Sequence, residues 1–176
     1  MNALSLIQVS SYGAALEAAN IATHREKLEI LEIIPFGTFC QLLIQGPIEA
    51  LNSYRKVLRT ADLQKSVIIE NPDPRLLKAF YHLENRPSRQ YLLILENEFT
   101  GYLFEWAQSL FKKNLDVMDF RQPRLPGAMA CLVMTGDDLH SIEEDILRME
   151  NQKIKVSFVE DPTMKLRAYF DIEAKS

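Results

Sequence analysis

The sequence predicts an α+β protein of two tandem β-α-β-β-α-β units, each a four-stranded antiparallel sheet with its helices on one face. Three observations predict it. The chain matches itself when slid by 87 residues. Within each copy, short apolar runs of strand length alternate with longer stretches of helical period. Neither long helix can bury its apolar stripe alone, so both need a sheet to receive them.

The self-match runs the length of the chain. At an offset of 87, Leu4, Leu6 and Ile7 fall on Tyr91, Leu93 and Ile94, Tyr12 on Phe99, Leu16 on Leu103, Leu28 on Leu115, Ile30 on Val117 and Leu31 on Met118. Past residue 36 the offset becomes 90, and Gly37 meets Gly127, Leu42 meets Leu132, Gly46 meets Gly136, Glu70 meets Glu160 and Pro72 meets Pro162. Three extra residues therefore belong to a loop of the second copy, between Arg121 and Pro126. The units are expected at residues 1–85 and 86–176.

In the first copy, residues 4 to 9 are too short an apolar run for a helix and read as a strand. Ser10 or Ser11 can accept hydrogen bonds from the free N–H groups of the next helix, expected over residues 12 to 25. Ala15, Leu16, Ala19 and Ala22 give it a small-residue face. Residues 28 to 34 and 38 to 45 read as strands around a Pro35-Phe36-Gly37 turn. Gly46-Pro47 ends the third strand, and Pro47 suits the first turn of a helix striped by Ile48, Leu51, Tyr54 and Leu58. Residues 66 to 69 form the fourth strand, and a short helix from Pro74 to about Leu83 closes the unit. In the second copy Asp137 or Asp138 caps a helix striped by Leu139, Ile142, Ile146 and Met149, and residues 164 to 172 match the closing helix.

The chain of 176 residues is 47% hydrophobic and 25% charged, the balance of a folded chain. Its net charge is -4 and it carries no Lys/Arg tract, which predicts no nucleic-acid partner. No secretory signal opens the sequence and no apolar run reaches membrane-spanning length, which predicts a cytoplasmic protein without a membrane partner. The two cysteines, Cys40 and Cys131, form no CxxC pair and are expected as free thiols. They lie one register apart in equivalent strands and so on opposite faces.

No metalloprotease, phosphate-loop, dinucleotide or nucleophile-elbow motif occurs. His24, His82 and His140 lie in three separate elements and read as solvated or capping histidines. The expectation is a non-enzyme without cofactor or metal. Glu143, Glu144 and Asp145 read as a solvated helix face. Phe99, Leu103, Trp106, Leu110 and Phe111 make the second copy's first helix the bulkier one, with Trp106 and Phe111 standing where Ala19 and His24 stand in the first.

These elements and glycine positions resemble the bacterial microcompartment shell domain, present twice. Residues 3 to 22 are similar to its opening strand and Ala-rich helix. FCQLLIQGPIEA, residues 39 to 50, is similar to its strand-Arg-Gly-Asp-helix segment, with Gln45 for the Arg and Pro47 for the Asp. Residues 66 to 73 resemble its last strand and Pro-containing turn.

Tandem members form trimers that mimic hexamers, so the resemblance implies a homo-trimer, a pseudohexamer with a central pore, and other shell proteins as partners. It places Phe36, Gly37, Thr38, Arg124, Pro126 and Gly127 at the pore, with Arg121 beside it and Phe36 narrowing it. It places the assembly edge at His24 and Phe111, where the family has a lysine, and at Asn71 and Asp161, where it has an arginine. Some tandem members hold an iron–sulfur cluster at the pore, which needs a loop cysteine; residues 34–38 and 121–128 contain none. The implied role is a structural tile or gated pore. The alternative is a small-molecule-binding regulatory protein on a duplicated ferredoxin-like scaffold, since such scaffolds host many functions.

Overall fold

In the computed structural model, which describes residues 2–25, 28–58, 63–81, 89–122 and 127–166, the first apolar run becomes β1 (Asn2–Val9). Ser11 then caps α1 (Tyr12–Arg25), its Oγ accepting from the Ala14 N–H at 3.1 Å. β2 (Glu29–Pro35), β3 (Cys40–Pro47), α2 (Ile48–Val57) and β4 (Leu63–Glu70) follow. The sheet order is β2-β3-β1-β4, every pairing antiparallel. Side chains alternate across a strand. Ala3, Ile7 and Val9 of β1 and Cys40, Leu42 and Ile44 of β3 therefore share one face. They form one core with Ala15, Ala18 and Ala22 of α1 and Leu51 and Tyr54 of α2, so both helices lie on that face. The Tyr54 hydroxyl donates to Ala18 O at 2.9 Å, tying the two helices together.

Expectation and structure differ at the end of β3. Gly46 and Pro47 continue the ladder, opposite Ala3 and Asn2, and Pro47 is the N-cap of α2 rather than part of its first turn. Gly46 gives Leu28 its place, because a Cβ there would lie 2.3 Å from Leu28 Cδ2 and push that side chain aside. Pro47 is tolerated because the last ladder position loses little by lacking an N–H.

The chain divides into two compact units: Met1–Pro72 with Phe99–Tyr102 and Pro123–Ala128, and Asp73–Glu98 with Leu103–Gln122 and Met129–Ser176. The second contains α3 (Pro74–Phe80), β5 (Tyr91–Asn97), most of α4 (Thr100–Phe111), β6 (Asp116–Arg121), β7 (Ala130–Gly136), a 3₁₀ turn (His140–Ile142), α5 (Glu143–Asn151) and β8 (Lys155–Glu160). Its sheet order, β6-β7-β5-β8, repeats that of the first. A further helical turn begins at residues 164–166, and the closing helix expected beyond it lies outside the described residues.

The ladders fix the register between copies. A Cβ at Gly46 would lie 2.3 Å from Leu28, and one at Gly136 would lie 2.6 Å from the Tyr91 hydroxyl and 3.2 Å from Leu115, the residue matching Leu28. Gly46 pairs with Ala3, and Gly136 with Tyr91. Ala3 therefore matches Tyr91, an offset of 88 rather than the expected 87. Burial in the helices agrees: Ala15, Ala18 and Ala22 match Leu103, Trp106 and Leu110, all buried. Ala18 and Thr23, not Ala19 and His24, are thus the counterparts of Trp106 and Phe111. From β2 onward the expected offsets hold. Glu29 and Asp116 face the matched residues Gln45 and Thr135, and the offset of 90 in β3 and β7 places three extra residues in the β6–β7 connection. Cys40 lies on the helix face opposite Val9, and Cys131 on the other face opposite Glu96, as their register requires.

Candidate functional site

The β2–β3 connection is a tight turn. The Phe36 N–H donates to Phe39 O at 2.9 Å, and the Thr38 N–H donates to Phe36 O at 3.0 Å. That three-residue closure puts Gly37 at φ 80, where a side chain would be strained. Gly127, in the longer β6–β7 connection, has a matching φ of 79. Gly37, Thr38 and Gly127 are exposed. The Phe36 ring is not: it is buried and stacks on Phe39 with centroids 5.0 Å apart. Arg124 and Pro126 lie outside the described residues. Arg121 Nε donates to Asp119 Oδ2 at 2.7 Å.

Of the edge residues, His24 is exposed and its Nδ1 is 3.5 Å from Thr23 Oγ1. Asn71 and Asp161 adopt matching left-handed conformations, φ 48 and 44, in the turns after β4 and β8. The Asp161 N–H donates to Gln90 O at 2.9 Å. Phe111 is buried, with the Arg75 guanidinium 4.0 Å above its ring. Helical phase gives His24 a different counterpart, the exposed Lys112.

The structure adds a buried charge centre in the second unit. Asp116 is 5% exposed. Its Oδ1 accepts from Arg75 Nη1 at 2.7 Å, and its Oδ2 accepts from Arg89 Nη2. Arg75 also pairs with Asp73, the N-cap of α3, at 2.7 Å, and hydrogen bonding to Asp73 raises the guanidinium's pKa further. Arg89 reaches Asp137 at 3.5 Å and donates to Asn114 O at 2.8 Å. No motif signals this cluster, because its members lie 27 and 41 positions apart.

Asp145 departs from the expected solvated face. It is 6% exposed and pairs with Lys113 Nζ at 2.6 Å. With Ile142 and Met149 it occupies the inward positions that Leu51, Tyr54 and Leu58 hold in the first unit. Its neighbours Glu143 and Glu144 remain solvated, and Glu143 Oε1 is 2.6 Å from His140 Nδ1. His82 lies outside the described residues. Among the described residues no cluster of His, Cys, Asp or Glu has metal-binding geometry, and no helix is long and apolar enough to cross a membrane.

No family model matches the sequence, nor does any curated protein. Among solved structures, the chain superposes on a microcompartments protein from Desulfitobacterium hafniense DCB with a TM-score of 0.77 and 21% identity, over 96% of this chain and 99% of that one. The chain has the fold of a microcompartment protein. The likeness spans both repeats. A putative glycine cleavage system transcriptional repressor (13% identity, 90% of this chain and 98% of that one) aligns at a TM-score of only 0.34. A protein of unknown function from Galdieria sulphuraria (10% identity, 90% and 97%) aligns at 0.33. Those two scores are too low to carry an argument.

Proposed function

We propose that this chain is a non-enzymatic, self-assembling structural protein of a microcompartment-type shell, a trimer whose six repeats form a pseudohexamer around a central pore. The observation that carries the reading is the fold itself, shared over both repeats with a microcompartment protein. Two similar but non-identical units per chain allow three chains to close a ring of six.

In this reading the β2–β3 and β6–β7 connections line the pore. The exposed Gly37 and Thr38 form the rim together with Gly127 and the segment carrying Arg124 and Pro126, and Phe36 supports the rim from beneath. Positive charge at Arg124 favours small anions over cations. The outer edge carries His24 and Lys112, with Asn71 and Asp161 in the adjoining turns, and Phe111 holds that edge from inside. Lysine at only one of the two matched positions makes extended tiling weak, because an edge contact is repeated at every boundary of a tile. Light scattering at micromolar concentration tests the assembly: three chain masses are expected, and a stable monomer refutes the reading. Ordered two-dimensional layers of the unmodified protein refute the weak edge.

A further inference from the structure

Each unit is completed by a segment of the other repeat. α3 lies in the first repeat by sequence but belongs to the second unit, and Phe99–Tyr102, at the start of the second repeat's first helix, belongs to the first unit. The exchange is reciprocal.

α3 enters the second unit with an aromatic ring and a cation. Phe80 is 2% exposed; it stacks on Phe120, with centroids 5.5 Å apart, and meets Phe104 edge-on at 5.6 Å. Leu76, one turn earlier, is buried as well. Arg75 Nη1 donates to Asp116 Oδ1 at 2.7 Å, and the Asp73 N–H at the helix start donates to Gln108 Oε1 at 2.8 Å. The chain is fastened again where the second repeat begins. The Arg89 N–H donates to Thr135 Oγ1 at 2.7 Å, and the Arg89 guanidinium holds the other oxygen of Asp116. Both flanks of the connection between the repeats are thus anchored independently of the peptide that joins them.

The first unit holds its segment through a row of amides. Gln8 and Gln41 pair across β1 and β3 and are buried on the sheet face away from α1 and α2. Gln8 Nε2 donates to Gln64 Oε1 at 2.9 Å, Gln41 Nε2 donates to Gln8 Oε1 at 3.4 Å, and Gln41 Oε1 accepts from the Thr100 N–H at 3.3 Å. That N–H is one of those a helix start leaves free, so the row ends in a cap. Phe99 is buried, and a Cβ on Gly101 would lie 3.3 Å from Leu6 Cβ, so this turn sits directly on the sheet.

We infer that the repeats hold each other as complementary halves, so that a chain cut between Tyr81 and Arg89 stays together. Phe104, Phe120 and Asp116 then form a recognition surface, fitted to a helix with Arg at its second position and Phe at its seventh, as α3 has. A short connection adds an effective concentration of roughly millimolar. Halves whose own Kd lies below about a micromolar stay paired at working concentrations without it. The inference goes beyond the assembly reading and holds for a lone chain or a ring.

A protease site carried in a flexible Gly/Ser insert after Asn85 tests it. The full chain is purified, cut and passed over a sizing column with light scattering. The cut protein should keep the mass of the uncut one while a denaturing gel shows two fragments. Fragments that separate or precipitate on cutting overturn the inference and leave the assembly reading untouched. In the cut protein, Phe80→Ala should raise the concentration at which the fragments part about a hundredfold. Circular dichroism of the uncut variant checks its folding; if it does not fold, Arg75→Ala takes its place, with a rise of about tenfold expected. A cut variant that holds as firmly as the cut unmodified protein shows that α3 is not the clamp and overturns the inference too.

Discussion

Replacing Asp116 by Asn isolates the buried charge centre. The carboxylate is almost fully buried, with one arginine on each oxygen. Asn keeps the shape and one acceptor, but it turns an NH₂ toward one of the two guanidinium groups. Removing one partner from a fully buried pair costs about 3–5 kcal/mol. Here the arginine side chains are 26% and 27% exposed, so water screens part of the loss. An expected cost of about 2–3 kcal/mol remains. For a chain of this size that is roughly 4–12 °C in Tm. Urea and thermal unfolding of Asp116→Asn beside the unmodified protein give the value. Glu150→Gln, at an exposed position on α5, is the control and should change stability by no more than about 0.5 kcal/mol. An equally small loss for Asp116→Asn would refute the claim that this centre holds α3 in the second unit.

Tyr54→Phe should cost about 1 kcal/mol in urea unfolding, because it removes the hydroxyl bond to Ala18 O inside the core; no change would show that the bond is not made in solution. His140 should titrate by NMR above its ordinary 6.5, since hydrogen bonding to Glu143 raises it, and Glu143→Gln should bring it back; a pKa at or below 6.5 would refute the pair. The contribution of that pair to stability is present below pH 6.5 and is lost as pH rises through the raised value. The Cys131 thiol, pushed from 9.0 to about 11 by burial and then by Glu96, should react with a thiol reagent at pH 8 about 100-fold more slowly than in the unfolded chain. Equal rates would show it unburied.

Much of the fold was legible because strand and helix periods differ and the chain states them twice. The glycines were informative: Gly46 and Gly136 each stand where a Cβ would crowd a neighbouring side chain, and Gly37 and Gly127 share a positive φ. The one-residue error in matching β1 with β5 has a physical origin. Residues 3–9 are buried on both faces, so the run shows no alternation from which phase can be read. The aromatic coincidence of Tyr12 with Phe99 then pulled the helices into the same error, and Phe111 took the place of Lys112 opposite His24.

The site was less legible, because burial in the second unit depends on where α3 goes. Thr23, Leu16 and Glu29 meet solvent; their counterparts Phe111, Phe104 and Asp116 are interior. A sequence repeat reports which residues correspond, not which of two corresponding surfaces is covered. Once α3 folds onto the second unit, the positions beneath it can hold aromatic rings and a paired carboxylate that would be costly in water or unpaired in a core. The first unit, with no α3 of its own, keeps a smaller apolar patch and a solvated acid at the same places. The asymmetry between the copies therefore follows from which unit α3 covers, because matched positions can differ in chemistry only where their surroundings differ.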